Sequence, residues 1–139
     1  MPRTWFTWTD SVLLGSNRVF IISEMTVPSV KQAKQISGAI HERLGDGARP
    51  QVIINRFEQR MFGSSLRRTD IEQALGGDFA GVLPNDYALV REAIDRGVPL
   101  TEIKAKNKIT AQLRKLVVPA PAKAPARAGL SRLSLSWAK

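Results

Sequence analysis

Three short apolar runs punctuate the chain: "RVFIISE" at 18–24, "QVIIN" at 51–55 and "FAGVLP" at 79–84. None alternates apolar with polar residues, as a strand with one wet face would. Nearly continuous runs of this length suit strands covered on both sides, the parallel-sheet case. Between them the apolar period changes to that of a helix. After "TVPS", Val30, Ala33, Ile36, Ile40 and Leu44 fall on one helical face. Pro28 suits the first turn and "GDG" at 45–47 the stop. "TDIEQALGG" reads as a capping box between Thr69 and Glu72, with Gly76 as a left-handed end. In "NDYALVREAIDRG", Leu89, Val90, Ala93 and Ile94 form a stripe between Asp86 and Gly97. "NKITAQLRKLVV" repeats the pattern with Ile109, Leu113, Leu116 and Val117. Strands alternating with helices predict an α/β domain over residues 1–118, with a mostly parallel sheet flanked by helices.

After Val118 the pattern ends. "PAPAKAPARAGLSRLSLSWAK", residues 119–139, is a Pro/Ala-rich basic segment that cannot pack a core and reads as a disordered tail. Its last stretch, with Leu130, Leu133, Leu135 and Trp137, either docks on something or stays untethered. The tail carries Lys123, Arg127, Arg132 and Lys139 without an acid, so it holds four of the nine excess positive charges. Such a surface favours nucleic acid, phosphates or an anionic membrane, or serves only solubility. There is no cysteine, which removes disulfide and thiolate chemistry. No apolar run approaches the roughly 20 residues of a membrane span. "MPRTWFTWTDSVLL" is broken by polar residues, unlike a signal peptide. A cytoplasmic location is the resulting expectation.

Catalytic sets are scarce. The single histidine, His41, lies in the second predicted helix without a second histidine at ligand spacing, and reads as a surface residue. No "GxxxxGK[ST]" loop occurs, so no cradle for a β- or γ-phosphate is evident. Open α/β sheets bind ligands at the carboxyl ends of their strands. Those ends carry Glu24 with Thr26, Asn55 with Arg56, and Pro84 with Asn85 and Asp86. An Asn amide offers donor and acceptor to the edge of an adenine, and a guanidinium can stack on a base. Alternatively, Asn55 caps a turn and Arg56 closes a surface salt bridge. The aromatics Trp5, Phe6 and Trp8 read as packing for a first helix, because nothing marks them as base-stacking platforms.

These stretches resemble the C-terminal half of the ParA/MinD-type P-loop ATPases. The resemblance runs from about residue 2 to 117 and lies nearest the CpaE/TadZ branch, which assembles Flp-type (Tad) pili and directs them to a cell pole. It rests on the combination of strand-"NRF", "IEQALG", "LPND" and "AIDRGVPL". The resemblance implies a twisted parallel sheet, nucleotide-dependent dimerisation, and adenine recognition by the Asn of "NR". Carried to this sequence, it implies Asn55, Arg56, Pro84 and Asn85 on the adenine side. It also implies pilus-assembly or polar-localisation partners, with a position at the pole or the inner membrane face.

The family's phosphate loop, signature lysines and magnesium-facing acids have no counterpart in the sequence. "MPRTW" reads as the remainder of an Asp-x-Pro motif with Met1 as the middle residue. The expectation is therefore a partial doubly wound sheet from a longer protein, through a truncated gene, an internal start codon or a start placed too late. ATP is then expected in a full-length form, and neither cofactor nor catalysis for this chain alone. Without its central strands such a sheet should be marginal as a monomer, and better supported as a dimer or by a half supplied in trans. Three functions fit: a non-catalytic pilus scaffold, a fragment of a partitioning ATPase, or a basic module binding nucleic acid or membrane.

Overall fold

A computed structural model describes residues 5–58 and 66–118. Met1, the tail 119–139 and the docking reading of its last segment lie outside the described residues.

The β-branched run around residue 52 forms the middle strand of a three-stranded, wholly parallel sheet. Strand β1 spans Val19–Glu24, β2 spans Pro50–Phe57 and β3 spans Phe79–Pro84. They lie in sequence order, each parallel to the next. Because the connections are parallel, each must cross over through a helix. Helix α1 (Thr7–Leu14) precedes the sheet, α2 (Val27–Leu44) joins β1 to β2, and α3 (Arg68–Leu75) precedes β3. Helices α4 (Tyr87–Arg96), α5 (Leu100–Ile103) and α6 (Lys108–Val117) follow. The short α5 has no counterpart in the sequence periodicity, since four residues are too few to show a stripe.

The helix ends obey local chemistry. Thr26 Oγ1 accepts from the Ser29 N–H at 3.3 Å, with Pro28 in the first turn of α2. Asp86 Oδ1 accepts from Leu89 N–H at 3.3 Å, and Asn107 Oδ1 from Thr110 N–H at 2.7 Å. Each satisfies an otherwise orphan amide. Helix α3 departs from expectation. It starts at Arg68, and Asp70 Oδ2 accepts from the Arg67 N–H at 2.9 Å. Glu72 pairs instead with Arg68 at 2.7 Å. The cap lies at Arg67, two residues before Thr69, which moves the acidic partner from Glu72 to Asp70.

One side of the sheet carries the main core. Val52 and Ile54 of β2 meet Val30 and Ala33 of α2 and Ile71 and Leu75 of α3. Burying each large aliphatic contributes roughly 1.5–3 kcal/mol. Ile53 points to the opposite side by strand alternation and is equally buried. Its partner there is Gly81. A Cβ on Gly81 would lie 2.9 Å from Leu116 Cδ2, so glycine lets α6 approach this face of the sheet. The sheet is thus covered on both faces at β2, as its apolar run implied. At β1 it is not: Ile22 is 58% exposed, with none of the described residues covering that position.

Helix α1 also differs from expectation. It buries no residue, and Phe6 and Trp8 stack on each other at 5.5 Å while remaining half or more exposed. Of the three N-terminal aromatics, Trp5 is the one held against another element. Its Nε1 donates to Asp10 Oδ1 at 2.7 Å, and the Arg43 guanidinium lies 4.9 Å from its ring.

Candidate functional site

The sheet register breaks where the sequence reads Asn-Arg. Ile54 pairs with Val82 but Phe57 pairs with Pro84, so β2 spends one extra residue between them. That is a β-bulge, which turns side chains away from their regular faces. Arg56 takes up the strain with φ 53°, the one non-glycine in the left-handed region among the described residues. The conformation costs about 1–2 kcal/mol for a residue bearing a Cβ. Asn55 Oδ1 accepts from the Arg56 N–H at 2.9 Å, and Arg56 Nη1 reaches Glu24 Oε1 on β1 at 3.3 Å. Both local contacts weighed from the sequence are therefore formed.

Strand β3 ends beside this bulge. The Asn85 N–H donates to the Phe57 carbonyl at 3.1 Å, and Asn85 Nδ2 donates to Glu58 Oε1. Between the two strand ends and the start of α4 lies a cleft of about 360 Å³. All four residues expected on the adenine side, Asn55, Arg56, Pro84 and Asn85, line it. Its remaining wall comes from α4 and α6, with Tyr87, Val90, Arg91, Ile94 and Ile109. Arg91 Nη1 donates to the Tyr87 hydroxyl at 3.2 Å, so the two side chains are held as a pair across one helical turn. Asp86 borders the cleft while capping α4, whereas Thr26 is spent on capping α2.

This volume lies at the small end of ligand pockets, matching a heterocyclic base better than a whole nucleotide. The walls suit one: Pro84, Val90, Ile94 and Ile109 are apolar, with polar groups at one end. Asn55 Nδ2 remains a donor and Oδ1 keeps a second lone pair. Sequence reasoning missed the α4 side. It assigned Val90 and Ile94 to the core stripe, yet Ile94 is 73% exposed and opens onto the cleft. The spacing of Tyr87, Arg91 and Ile94, three to four residues apart, was the available signal.

A second constellation lies on the opposite end of the sheet. Ser37 Oγ donates to Asp78 Oδ2 at 2.5 Å, and His41 Nε2 lies 3.0 Å from Asp78 Oδ1. Partial burial raises the Asp78 carboxyl pKa, but the Ser37 hydroxyl and His41 outweigh it and leave the carboxyl below its ordinary value. The carboxylate sits between the serine and the histidine, so this is a clamp joining α2 to the turn before β3, without a nucleophile–base contact. His41 is thus a helix-surface residue with a structural partner. Among the described residues no group of three His, Cys, Asp or Glu could hold a metal ion, and no helix is long and apolar enough to cross a membrane.

Solved structures place this fold in a class. The ParA family ATPase of Chlorobium tepidum TLS superposes with a TM-score of 0.63 at 18% identity, over 79% of this chain and 44% of its own. MinD, the cell division protein of Aquifex aeolicus, gives 0.62 at 22% identity, over 84% and 50%. The MinC:MinD cell division complex of Aquifex aeolicus gives 0.57 at 23% identity, over 76% and 46%. The chain therefore has a ParA/MinD-type fold and spans about half the length of these ATPases. No protein-family model matches it, and no curated protein is significantly similar in sequence.

Proposed function

We propose that this chain forms the base-binding side of a ParA/MinD-type ATP site and serves as a scaffold without hydrolysing ATP itself. The observation that carries the reading is the convergence of Asn55, Arg56, Pro84 and Asn85, from two strand ends, on one cleft at the carboxyl end of a parallel sheet. The adenine lies between Pro84 and the apolar residues of α4 and α6, with its polar edge toward the Asn55 amide. Bound ATP would bring its phosphates and magnesium to groups that the described residues do not supply. Affinity of the cleft alone is then limited to the base, in the millimolar range.

Within this class the sequence string "NRF", "IEQALG", "LPND" and "AIDRGVPL" favours a CpaE/TadZ-type role in assembling and placing Flp/Tad pili. The fold likeness to ParA and MinD favours the alternative, a fragment of a partitioning or division-site ATPase, over the pilus role. Under either role, its partners are assembly or localisation proteins and a second nucleotide-binding subunit, at the pole or the inner membrane face.

Titration of the chain with adenosine, guanosine and inorganic triphosphate, followed by NMR shifts of Asn55 and Asn85, tests the site. Adenosine should perturb both amides. Asn55→Ala should weaken adenosine about 5–30-fold, the cost of one or two hydrogen bonds, and leave triphosphate unchanged. Equal response to adenosine and guanosine, or equal loss for both ligands, would refute base reading. ATP hydrolysis by the chain above a buffer control would refute the scaffold role.

A further inference from the structure

The two asparagine amides that line the base cleft are each held by one end. An amide carries an acceptor oxygen and a donor NH2, so the end that meets a ligand depends on what holds the other. Asn55 Oδ1 accepts from the Arg56 N–H at 2.9 Å. A backbone N–H can only donate, so Asn55 leaves Nδ2 for the cleft. Asn85 is held the opposite way. Its Nδ2 donates to Glu58 Oε1, and a carboxylate can only accept. Asn85 therefore leaves Oδ1, to which no other side chain or amide donates among the described residues. The β-bulge creates this contact. Ile54 pairs with Val82 but Phe57 with Pro84, so one step further on Glu58 comes level with Asn85. A regular ladder would have set Phe57 there. The Asn85 N–H, donating to the Phe57 carbonyl at 3.1 Å, fixes the two strand ends together. Glu58 itself stands behind Asn85, outside the residues that line the cleft.

We infer that Glu58 is a positioning residue for base selectivity: by fixing the Asn85 amide it makes the cleft accept a 6-aminopurine and reject a 6-oxopurine. The inference rests on the base-binding reading above and adds the sense in which the base is read. In adenine the exocyclic N6–H donates and the neighbouring ring nitrogen accepts, whereas guanine and hypoxanthine carry an acceptor, O6, at the exocyclic position. With a donor at Asn55 and an acceptor at Asn85, a ring nitrogen of adenine meets Asn55 Nδ2 and N6 meets Asn85 Oδ1. A 6-oxopurine in the same pose sets O6 against Oδ1, two acceptors face to face. The carboxylate sharpens the choice further, because an amide that donates to a charge becomes a better acceptor at its oxygen.

Adenosine and inosine differ only at the 6-position and its neighbouring ring proton, and NMR titration of the full chain with both tests the inference. The parent chain should bind adenosine about 5–10-fold more tightly, the low end of the cost of a mispaired polar group, because the contact is open to water. Glu58→Gln keeps the size of the side chain but lets the Asn85 amide face either way, so the ratio should fall to about twofold or less. Glu58→Lys offers only donors and turns that amide over. Two donors then face O6 and N7, and inosine should become the tighter ligand. Asn85→Ala should abolish the preference, and adding Glu58→Gln to it should change nothing further, the result expected if Glu58 acts through that amide. Both residues are exposed, so the amide spectra of the variants should overlay the parent spectrum away from the cleft. A ratio unmoved by Glu58→Gln and Glu58→Lys would overturn the role of Glu58 and leave base binding intact. A further effect of Glu58→Gln in the Asn85→Ala background would overturn it as well. Failure of adenosine to shift the Asn55 amide in the parent chain would bring down the base-binding reading, and this inference with it.

Discussion

Ser37→Ala isolates the clamp between α2 and β3. The hydroxyl is 1% exposed in its residue and donates to Asp78 at 2.5 Å, a charge-assisted bond. Such bonds contribute about 1.5–3 kcal/mol. Two effects reduce the loss. The Asp78 side chain is 28% exposed, so water takes over part of the contact. Alanine also recovers about 0.5 kcal/mol of helix propensity inside α2. The net cost at pH 7 is about 1–2 kcal/mol, a fall of roughly 0.5–1 M in the urea midpoint for a chain of this size. The pH dependence follows from the direction of the Asp78 shift. Its carboxyl titrates lower in the folded chain than in the unfolded one, where the value is about 3.9. Its contribution is thus complete above about pH 4 and disappears as pH falls through the lower folded value. The gap between parent and variant should be constant from pH 7 to 5 and narrow as the pH falls through the lowered folded value, where only a neutral hydrogen bond remains. Urea titrations at pH 7, 5 and 3 measure it. An equal gap at all three values, or none at pH 7, would show that the serine does not hold the carboxylate.

Gly81→Ala should cost about 1–3 kcal/mol in urea unfolding, because the new Cβ meets Leu116 and φ is +152°. Adding Leu116→Ala should recover only the steric part, which a double-mutant cycle reads directly. Ile71→Ala, at a position with no exposed surface, should cost about 2–5 kcal/mol by the same assay. Asp10→Ala removes the acceptor shared by Arg43 and Trp5, and should free α1 to proteolysis and shift Trp5 fluorescence without moving the urea midpoint of the sheet. The Asp10 carboxyl is held low chiefly by its bond from Arg43 and then by Trp5. The same fluorescence change should therefore appear in the parent chain only well into acid.

The apolar runs were enough to find all three strands, because a strand buried on both faces must be apolar at consecutive positions, as Val52, Ile53 and Ile54 are. They could not tell a central strand from an edge one. β1 has the same texture as β2, yet among the described residues its Ile22 is 58% exposed; what covers a strand's faces is set by distant elements, and local sequence carries no record of that. The start of α4 was legible at Asp86, whereas the caps at Thr26 and Asn107 were not read, and the one read at Thr69 slipped because Arg67, two positions earlier, already caps the turn. The Asp78 clamp had no sequence signature: Ser37 and His41 share a helical face by spacing, but their acceptor comes from a turn 37 residues beyond His41. The Asn-Arg that ends β2 was readable as a feature and not as a shape. Strand propensity would carry the ladder on through Arg56; a bulge instead forces that residue to positive φ, where glycine would rest without strain. A guanidinium kept in so costly a backbone position, tied to Glu24 and bordering the cleft, argues that its side chain is used there. Arg56→Gly should accordingly stabilise the chain by about 1 kcal/mol or leave it neutral, while weakening whatever the cleft holds. If Arg56→Gly instead destabilises it by more than about 1 kcal/mol and leaves adenosine binding unchanged, the strain serves the ion pair with Glu24 and not a ligand.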